Sequence, residues 1–272
     1  MERPERLERL RHIIRDMGEA AVAYSGGADS TLVLRIARDE LGEKAAAIIC
    51  STGLMAQREV EEAVAAARGL GAEVRVVEAD LLARPDIARN PPDRCYLCKR
   101  AIIESIGEAA SGMGLRIIAD GTHCGDEDGD RPGMRALREH GVRSPLAEAG
   151  MDKADVREVS RALGLSTMSR PSSPCLATRI PFGEAITRER LRQVDEAERL
   201  LRQLGYGQVR VRHHGPIARV EVEERFLSRA LEDREIIISG LRELGFTYVV
   251  LDLAGFRSGS MSEPVAGPVA RP

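Results

Sequence analysis

A six-residue segment that begins at residue 25, SGGADS, has the residue types needed to bind phosphate. Gly26 and Gly27 let the backbone turn sharply and bring its N–H groups close to an anion. Ser25 and Ser30 add hydroxyl donors, and a helix that begins here adds the favourable charge of its N-terminus. Asp29 repels phosphate, so we expect it to lie beside a divalent cation or to orient the loop. The competing interpretation is an ordinary glycine-rich turn capped by serine.

Cys175 lies in a second segment that can do chemistry, the proline-rich stretch RPSSPCLATRI of residues 170–180. Arg170 and Arg179 flank the cysteine, and nearby guanidinium charge favours the thiolate and attracts an anion. Prolines restrict the chain and present the side chain with little loss of entropy. The sequence therefore indicates a nucleophilic thiol, with a buried structural cysteine in a rigid linker as the alternative.

Cys95 and Cys98 form a CxxC motif at the start of a predicted helix. Because the two cysteines are three residues apart, their sulfurs lie on one face of the helix, which suits a soft metal or an iron–sulfur cluster. A redox dithiol, half of a zinc site and two core thiols are the alternatives. A complete zinc site needs four ligands, and the sequence has no second CxxC. Cys50, at the end of an apolar strand, is predicted to be a core residue.

Arg210 and Arg212 are two residues apart in a predicted strand, so their side chains point to the same side. Together with Arg257 they are predicted to bind a phosphate group, which a guanidinium matches with two hydrogen bonds. Glu198 and Glu221 are the candidate acidic partners of these arginines. The alternative is a solvated strand face with counter-charged neighbours.

The elements that must position these residues alternate along the first part of the chain. Apolar strands are predicted at residues 20–24, 44–50, 73–77 and 116–119, and helices at residues 4–16, 31–41, 56–70, 94–111 and 152–163. Strands that alternate with helices imply an α/β fold with a parallel, doubly wound sheet. Ligands bind at the carboxyl ends of the strands in such a sheet.

The pattern changes after residue 184. A long amphipathic helix is predicted at residues 187–204, a hairpin at 208–213 and 217–222, and a last strand at 248–253. These elements predict a small α+β domain. We therefore expect a first domain over residues 1–184, a second over 185–260 and a disordered tail over 261–272. Residues 169–183 are predicted to form an ordered loop at the junction.

Composition restricts the partners and the compartment. The 272 residues contain 40 Lys and Arg against 43 Asp and Glu, a net charge of −3, so general binding to nucleic acid is not expected. Aromatic residues make up 3%, which leaves few platforms for stacking bases. No apolar run approaches the roughly 20 residues of a membrane span, and the charged N-terminus lacks a signal-peptide core. Five cysteines, an odd number, argue against a disulfide framework, and we expect a cytoplasmic protein.

The segment at residue 25 resembles the SGGxDS loop of the PP-loop ATP pyrophosphatases, and it lacks the Gly-Lys-Ser/Thr of a Walker loop. The segment GTHCGD, which follows the fourth strand, is similar to the GTNxxD motif of the same superfamily. The matching positions are Gly121, Thr122 and Asp126, and the departures are His123 and Cys124. The resemblance implies that ATP with Mg²⁺ adenylates a substrate, pyrophosphate is released and a nucleophile displaces AMP. It implies these ATP-binding residues: Ser25, Gly26, Gly27, Asp29, Ser30, Gly121, Thr122 and Asp126.

Over nearly its whole length the chain resembles the LarE family of ATP-dependent sulfur transferases, which help to make the nickel-pincer nucleotide of lactate racemase. The segments that carry the resemblance are SGGADS at residue 25, NPPDRC at 90, DRPG at 130, SPL at 144, SPCLA at 173 and DLAGFRSGS at 252. The resemblance implies that ATP activates a carboxylate of a pyridinium dicarboxylate mononucleotide. Cys175 is then the thiol that joins the adenylated substrate and leaves a thiocarboxylate, in two rounds for two carboxylates. The anion-binding residues it implies at the sulfur-transfer site are Arg179, Arg210, Arg212 and Arg257.

Some LarE members and some PP-loop tRNA thiolases have three cysteines that hold a 4Fe–4S cluster, whose open iron binds an extra sulfide. In other LarE members the cysteine gives up its own sulfur and becomes dehydroalanine. Cys95, Cys98 and Cys175 fit the three-cysteine pattern, so a cluster-bearing enzyme is favoured over a sacrificial one. Cys124 is left open between a ligand and a bystander near the nucleotide.

Three alternative functions stay open. A PP-loop tRNA thiolase predicts a basic RNA-binding surface, against which the net charge argues. An amide-forming ATP pyrophosphatase, similar to NAD or GMP synthetase, needs neither the cysteine loop nor the CxxC. A non-catalytic nucleotide sensor would bind ATP without releasing pyrophosphate. We expect a small-molecule substrate, no nucleic-acid or membrane partner, an unidentified sulfur source and a homo-oligomer.

Overall fold

A computed structural model describes residues 3–55, 57–127, 132–165 and 175–257. Within these residues the chain forms two compact units, one of residues 3–87 and 92–165 and the other of residues 88–91 and 175–257. Arg170 and the predicted disordered tail lie outside the described residues, and the predicted domain bounds stay a prediction. No helix in the described part of the chain is both long and apolar enough to cross a membrane.

The first unit is built around a parallel sheet. Its strands are β1 (Ala20–Ala23), β2 (Ala45–Ser51), β3 (Glu73–Glu78) and β4 (Ile118–Ala119). The helices up to residue 165 are α1 (Arg3–Met17), α2 (Ala28–Leu41), α3 (Gln57–Gly69), α4 (Pro85–Ala88), α5 (Arg94–Gly112), α6 (Cys124–Glu127), α7 (Pro132–Glu139), α8 (Pro145–Glu148) and α9 (Lys153–Ala162). The strand order is β3-β2-β1-β4, and every pairing is parallel. The predicted α/β fold with a parallel sheet is confirmed.

Strand β2 shows how the sheet is covered on both faces. Ala47 and Ile49 belong to a buried cluster that includes Leu34 of α2. Ile48 belongs to another cluster, which includes Ile106 of α5. Successive side chains of a strand point to opposite faces. Because both faces are apolar here, the strand is a continuous apolar run, which is typical of a buried parallel sheet.

The second unit contains a three-stranded sheet. Strands β5 (Val209–His214) and β6 (Ile217–Val222) are antiparallel, and β7 (Tyr248–Leu251) runs parallel to β6. The helices are α10 (Arg188–Gln203), α11 (Leu227–Glu232) and α12 (Arg234–Glu243). Ala197 and Leu201 of α10 are buried in the same apolar cluster as Val211 of β5 and Val220 of β6. The predicted amphipathic helix and hairpin are confirmed, while the last strand ends at Leu251 rather than two residues later.

Candidate active site

The predicted phosphate loop lies between β1 and α2. Gly26 has φ +75°, a conformation that residues with a side chain disfavour, and a Cβ there would lie 2.9 Å from Cβ of Ala63 in α3. Gly27 is the N-cap residue of α2 and has no side chain to occupy the first N–H groups of the helix. The loop therefore packs closely on α3, and the N-terminus of α2 is available to an anion.

Two serines fix the shape of this loop. The hydroxyl oxygens of Ser25 and Ser30 lie 3.2 Å apart, and Ser30 Oγ also accepts the Ser25 N–H at 3.3 Å. Ser30 Oγ lies 3.2 Å from the Gly27 carbonyl, to which it can donate. Ser30 is buried and Ser25 is exposed. Ser30 thus holds the loop from inside, while Ser25 presents its hydroxyl at the surface.

The GTHCGD segment lies beside the phosphate loop, because β4 is the parallel neighbour of β1. A Cβ on Gly121 would lie 2.7 Å from the backbone nitrogen of Ser30 and 3.1 Å from Cβ of Asp29. Real Cβ atoms do not approach a backbone nitrogen this closely, so the contact requires glycine. The structure thus brings the two predicted nucleotide motifs together.

Asp120 organises this second segment, although the sequence alone did not single it out. Its carboxylate accepts hydrogen bonds from the Thr122 N–H at 3.1 Å and the Thr122 hydroxyl at 2.7 Å. The Ser144 hydroxyl donates to the same carboxylate at 2.8 Å. Asp120 and Thr122 are both buried. The available signal was the position of Asp120 directly after β4, since polar residues at the carboxyl ends of parallel strands line ligand sites.

The two residues that depart from the superfamily motif have defined contacts. His123 Nε2 lies 3.3 Å from Asp126 Oδ2, and Cys124 Sγ lies 3.6 Å from the carbonyl oxygen of Ala147. Asp126, a predicted ATP-binding residue, therefore has an imidazole within reach, which becomes its counter-ion when protonated. Cys124 is half-buried, and its role stays open.

A lysine that the sequence did not indicate contacts the phosphate loop. Lys153 Nζ lies 2.6 Å from Asp29 Oδ1 and also contacts the other carboxylate oxygen. Lys153 is the first residue of α9, and Asp152 and Asp155 form a capping box that fixes the start of this helix. Lys153 therefore places its ammonium group beside the first turn of α2, next to the carboxylate of Asp29.

Cys175 precedes a 3-10 turn, Leu176–Arg179, in the second unit. Its carbonyl oxygen accepts three hydrogen bonds, from the Thr178 N–H at 3.0 Å, the Thr178 hydroxyl at 2.8 Å and the Arg179 guanidinium at 3.2 Å. The residue itself is half-exposed. The backbone of the predicted nucleophile is therefore held in place, while the residue stays partly accessible rather than buried.

Two of the predicted anion-binding arginines form buried ion pairs. Arg179 binds both oxygens of Glu198 at 2.7 and 2.9 Å, and Arg212 binds both oxygens of Glu221 at 3.0 and 2.8 Å. The exposed fraction of all four side chains is 6% or less. Glu221 is thus an acidic partner of Arg212, as predicted, whereas Glu198 pairs with Arg179. This burial contradicts the alternative of a solvated strand face.

Arg210 is also buried, but its environment differs. Its Nη1 donates to the Val209 carbonyl at 2.7 Å, and its guanidinium lies 5.2 Å from the centre of the Phe256 ring. No carboxylate among the described residues is hydrogen-bonded to it. Burial lowers the pKa of Arg210 to about 10, and the nearby charges of Arg179 and Arg212 add to this effect. The side chain is therefore still charged at neutral pH, and the nearby carboxylate of Glu198, which is not hydrogen-bonded to it, offsets part of the lowering of its pKa.

The CxxC lies in the first turn of α5, which begins at Arg94 as predicted. Cys95 is exposed and Cys98 is half-buried, and Arg94 Nη2 lies 3.9 Å from Cys95 Sγ. Across the described ranges, no group of three or more Cys, His, Asp or Glu side chains is placed to hold a metal ion. Because Cys175 belongs to the other unit, the predicted three-cysteine ligand set stays a prediction. The core role of Cys50 is confirmed: it is buried in β2, and burial raises the pKa of its thiol to about 11.

A parallel sheet whose first strand leads through SGGADS into a helix, with Gly121 packed on that helix, is the architecture of a PP-loop ATP pyrophosphatase. Over 216 residues the chain is 29% identical to the glutamine-hydrolysing GMP synthase of Aeropyrum pernix, a match that covers 72% of this chain and 42% of that protein. No family model matches the chain.

Two other relatives match the chain over almost its whole length. It is 38% identical over 251 residues to the pyridinium-3,5-bisthiocarboxylic acid mononucleotide synthase of Lactiplantibacillus plantarum, which covers 92% of this chain and 91% of that one. It is 39% identical over 259 residues to an uncharacterised protein of Synechocystis sp., which covers 94% and 97%. The chain belongs to the LarE family of ATP-dependent sulfur transferases.

Proposed function

We propose that the protein uses ATP to convert a carboxylate of pyridinium-3,5-biscarboxylic acid mononucleotide into a thiocarboxylate, with Cys175 as the attacking thiol. The observation that carries the proposal is the presence, in one chain, of a phosphate loop packed on Gly121 and of a half-exposed cysteine whose carbonyl accepts three hydrogen bonds. The name of the L. plantarum relative, a bisthiocarboxylic acid mononucleotide synthase, supports the product.

The proposed ATP site is the phosphate loop together with the segment beside it. The first-turn N–H groups of α2 and the hydroxyl of Ser25 supply donors for phosphate oxygens, while Ser30 holds the loop from inside. Glycines at 26 and 121 let the loop pack against Ala63 of α3 and the segment after β4 pack against the backbone of Ser30, which fixes the loop shape proposed to bind the polyphosphate. Asp29 is the carboxylate that we assign to Mg²⁺, which when bound screens the charge of the triphosphate.

The proposed reaction consists of two substitutions. A carboxylate oxygen of the mononucleotide attacks the α-phosphorus of ATP, the bond from that phosphorus to pyrophosphate breaks, and an acyl adenylate forms. The Cys175 thiolate then attacks the acyl carbon, AMP leaves with the electron pair, and a thioester joins the substrate to Cys175. Adenylation is needed because an unactivated carboxylate would have to expel oxide, whereas a thiolate is a strong nucleophile toward the activated group.

The sulfur can then reach the product by two routes. In the sacrificial route, the Cα proton of Cys175 is removed and its Cβ–Sγ bond breaks, which leaves the thiocarboxylate and dehydroalanine. In the second route, which we favour, Cys95, Cys98 and Cys175 would hold a 4Fe–4S cluster, which would supply a sulfide in place of the Cys175 thiolate for the attack on the acyl adenylate. Its support is the residue type and the CxxC spacing. Because the described residues contain no assembled metal-ligand group, no step is assigned through the cluster.

Arg210 is the residue that we propose for the phosphate group of the mononucleotide. A buried guanidinium is stabilised by an anion, and no carboxylate of the described residues is hydrogen-bonded to Arg210. Arg257, whose Nη1 lies 3.9 Å from Asp252 Oδ1, is the second proposed ligand. Arg179 and Arg212 already have buried carboxylates, which makes them weaker candidates for a substrate anion.

The decisive experiment compares the wild-type protein with Cys175→Ala. We expect the variant to retain mononucleotide-dependent exchange between ATP and pyrophosphate and to lose sulfur transfer; retained transfer would contradict the role of Cys175. Mass spectrometry after turnover separates the two sulfur routes, since the sacrificial one removes H₂S, about 34 Da. Anaerobic purification with iron and sulfide analysis tests the cluster, and colourless protein without iron after reconstitution would exclude it.

The same assays separate the alternative functions. Exchange that needs tRNA would indicate a thiolase, product formation with ammonia would indicate an amide-forming enzyme related to the GMP synthases, and ATP binding without exchange would indicate a sensor. We also propose a cytoplasmic location, because five cysteines, an odd number, argue against a disulfide framework. The homo-oligomeric state stays a prediction.

A further inference from the structure

Arg179 contacts the backbone of Cys175. One guanidinium nitrogen, Nη1, donates to the Cys175 carbonyl at 3.2 Å and to the Thr178 hydroxyl at 3.0 Å. The Thr178 hydroxyl in turn donates to the same carbonyl at 2.8 Å. The direction of the Cys175 carbonyl, and with it that of the Cα–Cβ bond, is therefore fixed by groups that belong to the following turn.

The other side of the same guanidinium is fixed by Glu198 of α10. Arg179 Nε and Nη2 bind the two oxygens of Glu198, and the exposed fractions of the two side chains are 1% and 0%. Glu198 Oε1 also accepts the N–H of Val211 in β5 at 3.2 Å, and Arg202 binds Glu198 Oε2 at 2.6 Å. The Cys175 turn is thus connected through one buried ion pair to a helix and a strand of the second unit.

A second buried pair holds the next part of the turn. Arg212 of β5 binds both oxygens of Glu221 in β6, and its Nη1 donates to the Thr178 carbonyl at 3.2 Å. The carbonyls of Cys175 and Thr178 are therefore each bound by a guanidinium that is also paired with a buried carboxylate.

We propose that Arg179 is a positioning residue for sulfur transfer, which acts through the carbonyl of Cys175 and is itself held by Glu198. This deepens the proposed function and rests on it for the identity of Cys175 as the nucleophile. The Arg179 side chain is 1% exposed, and its nitrogens bind Glu198, the Thr178 hydroxyl and the Cys175 carbonyl. The role proposed for it is therefore to hold the turn rather than to bind the substrate phosphate or to stabilise the thiolate by its charge. The pair fixes the position of the thiol, and a misplacement of about 1 Å at a reacting atom costs about 100-fold in rate.

The test uses the full-length protein and the double variant Arg179→Met with Glu198→Gln. Glutamine keeps an acceptor for Val211 and leaves no buried charge without a partner, so the fold is retained. The matched control is Arg202→Met alone, which removes the other arginine of the same carboxylate and leaves the Arg179–Glu198 pair intact. Two quantities are measured: the kinetic constants of sulfur transfer, and the rate at which iodoacetamide alkylates Cys175 from about pH 6 to 10, followed on the Cys175 peptide by mass spectrometry.

Loss of positioning has a defined signature. The Arg179 variant should lose about 100-fold in the kcat of sulfur transfer with both KM values unchanged. Its maximal alkylation rate should rise roughly threefold or more, because the turn opens more often, while the midpoint pH of alkylation stays the same. The control variant should stay within about twofold of wild type in both measurements.

Three results would overturn the inference. A higher KM for the mononucleotide at unchanged kcat would make Arg179 a substrate ligand. A midpoint of alkylation at higher pH would show that its charge stabilises the thiolate. An equal loss in the control would show a general structural role of Glu198. If the wild-type protein transfers no sulfur at all, the proposed function fails, and the alkylation measurements still decide whether Arg179 positions Cys175.

Discussion

Lys153 and Asp29 form an ion pair at the start of α2, with 2.6 Å between Lys153 Nζ and Asp29 Oδ1. Asp29 belongs to the loop that we propose to bind a triphosphate, so its carboxylate repels the ligand unless a cation lies beside it. The backbone of Lys153 is fixed by the capping box at the start of α9, and its side chain is 43% exposed. The backbone of Lys153 is therefore fixed, while its ammonium group can move between the Asp29 carboxylate and the phosphate that we propose to bind here.

The substitution Lys153→Met is expected to weaken ATP binding by about tenfold. A partly exposed ion pair contributes about 1 kcal/mol or less, and loss of the attraction to the phosphates adds to this. Calorimetric titration with ATP measures the change. The control is Arg35→Met, which removes a 3.0 Å ion pair to Asp39 further along α2 and should leave ATP affinity unchanged. Equal weakening in both variants would show that Lys153 has no specific role at the loop.

The substitution Gly121→Ala is expected to lower both stability and ATP affinity. The added Cβ lies 2.7 Å from the backbone nitrogen of Ser30, so the phosphate loop must shift, and overpacking of this kind costs about 1–3 kcal/mol. Urea unfolding and ATP titration measure the two effects. Gly69→Ala, at the end of α3, is the control, because nothing lies within 4 Å of its added Cβ. A Gly121→Ala protein that unfolds and binds ATP as the wild type does would contradict the close contact.

The parallel sheet and the phosphate loop could be predicted because their signals are local. Strand β2 is a continuous apolar run, and SGGADS directly follows another such run. The contacts that complete the site could not be predicted, because they join distant residues. Ser144 and Asp120 are 24 positions apart, and Lys153 and Asp29 are 124 positions apart. Serine, lysine and aspartate are common at surfaces, so their types alone do not indicate these pairs.

The arginines of β5 show a second limit of the sequence. The period of two placed Arg210 and Arg212 on one side of the strand, which predicts that both are near the same ligand. In the sheet Arg210 lies directly opposite Glu221, yet the Glu221 carboxylate bonds to Arg212, its diagonal neighbour. Side-chain packing determines which of the two arginines forms the ion pair with the Glu221 carboxylate. The sequence therefore predicted that both arginines matter. It did not predict that Arg212 forms a buried ion pair while Arg210 is the candidate for an anion site.

This division predicts opposite effects of one substitution on stability and binding. Arg210→Met removes a buried charge whose pKa is lowered by burial, so the free energy of unfolding without substrate should rise by about 1 kcal/mol. Loss of a charge-assisted hydrogen bond to the substrate phosphate should raise the KM for the mononucleotide about 10- to 100-fold. Urea unfolding and steady-state kinetics measure the two changes.

The comparison for Arg210 is Arg212→Met. This change removes the bidentate partner of the buried Glu221 and leaves it the partly exposed Arg219 at 3.1 Å, so the free energy of unfolding should fall by up to about 3 kcal/mol. If Arg210→Met destabilised the protein as strongly as Arg212→Met does, Arg210 would have an acidic partner in solution. An unchanged KM in Arg210→Met would remove this residue from the proposed phosphate site.

His213 and His214 are expected to make the second unit sensitive to mild acid. Burial lowers the pKa of both imidazoles, and Arg190 near His213 and Arg219 near His214 lower it further. Because the folded-state pKa values lie below 6.5, the unfolded chain takes up protons first as the pH falls. The contribution of each histidine is therefore complete above about pH 6.5, and it is lost below this pH by up to about 1.4 kcal/mol per pH unit.

Urea unfolding at about pH 7.5 and about pH 5.5 tests this dependence. A loss of stability between these two pH values is assigned to histidines. Carboxylates with lowered pKa values, such as Glu148 beside Arg143, lose their contribution to the free energy of unfolding only below pH 4.5. The double variant His213→Gln with His214→Gln should reduce the pH dependence of the free energy of unfolding in this window. The control His12→Gln changes a histidine whose side chain is 69% exposed and should leave the dependence as it is in the wild type. An unaltered dependence in the double variant would mean that these two histidines are not the groups whose protonation destabilises the fold.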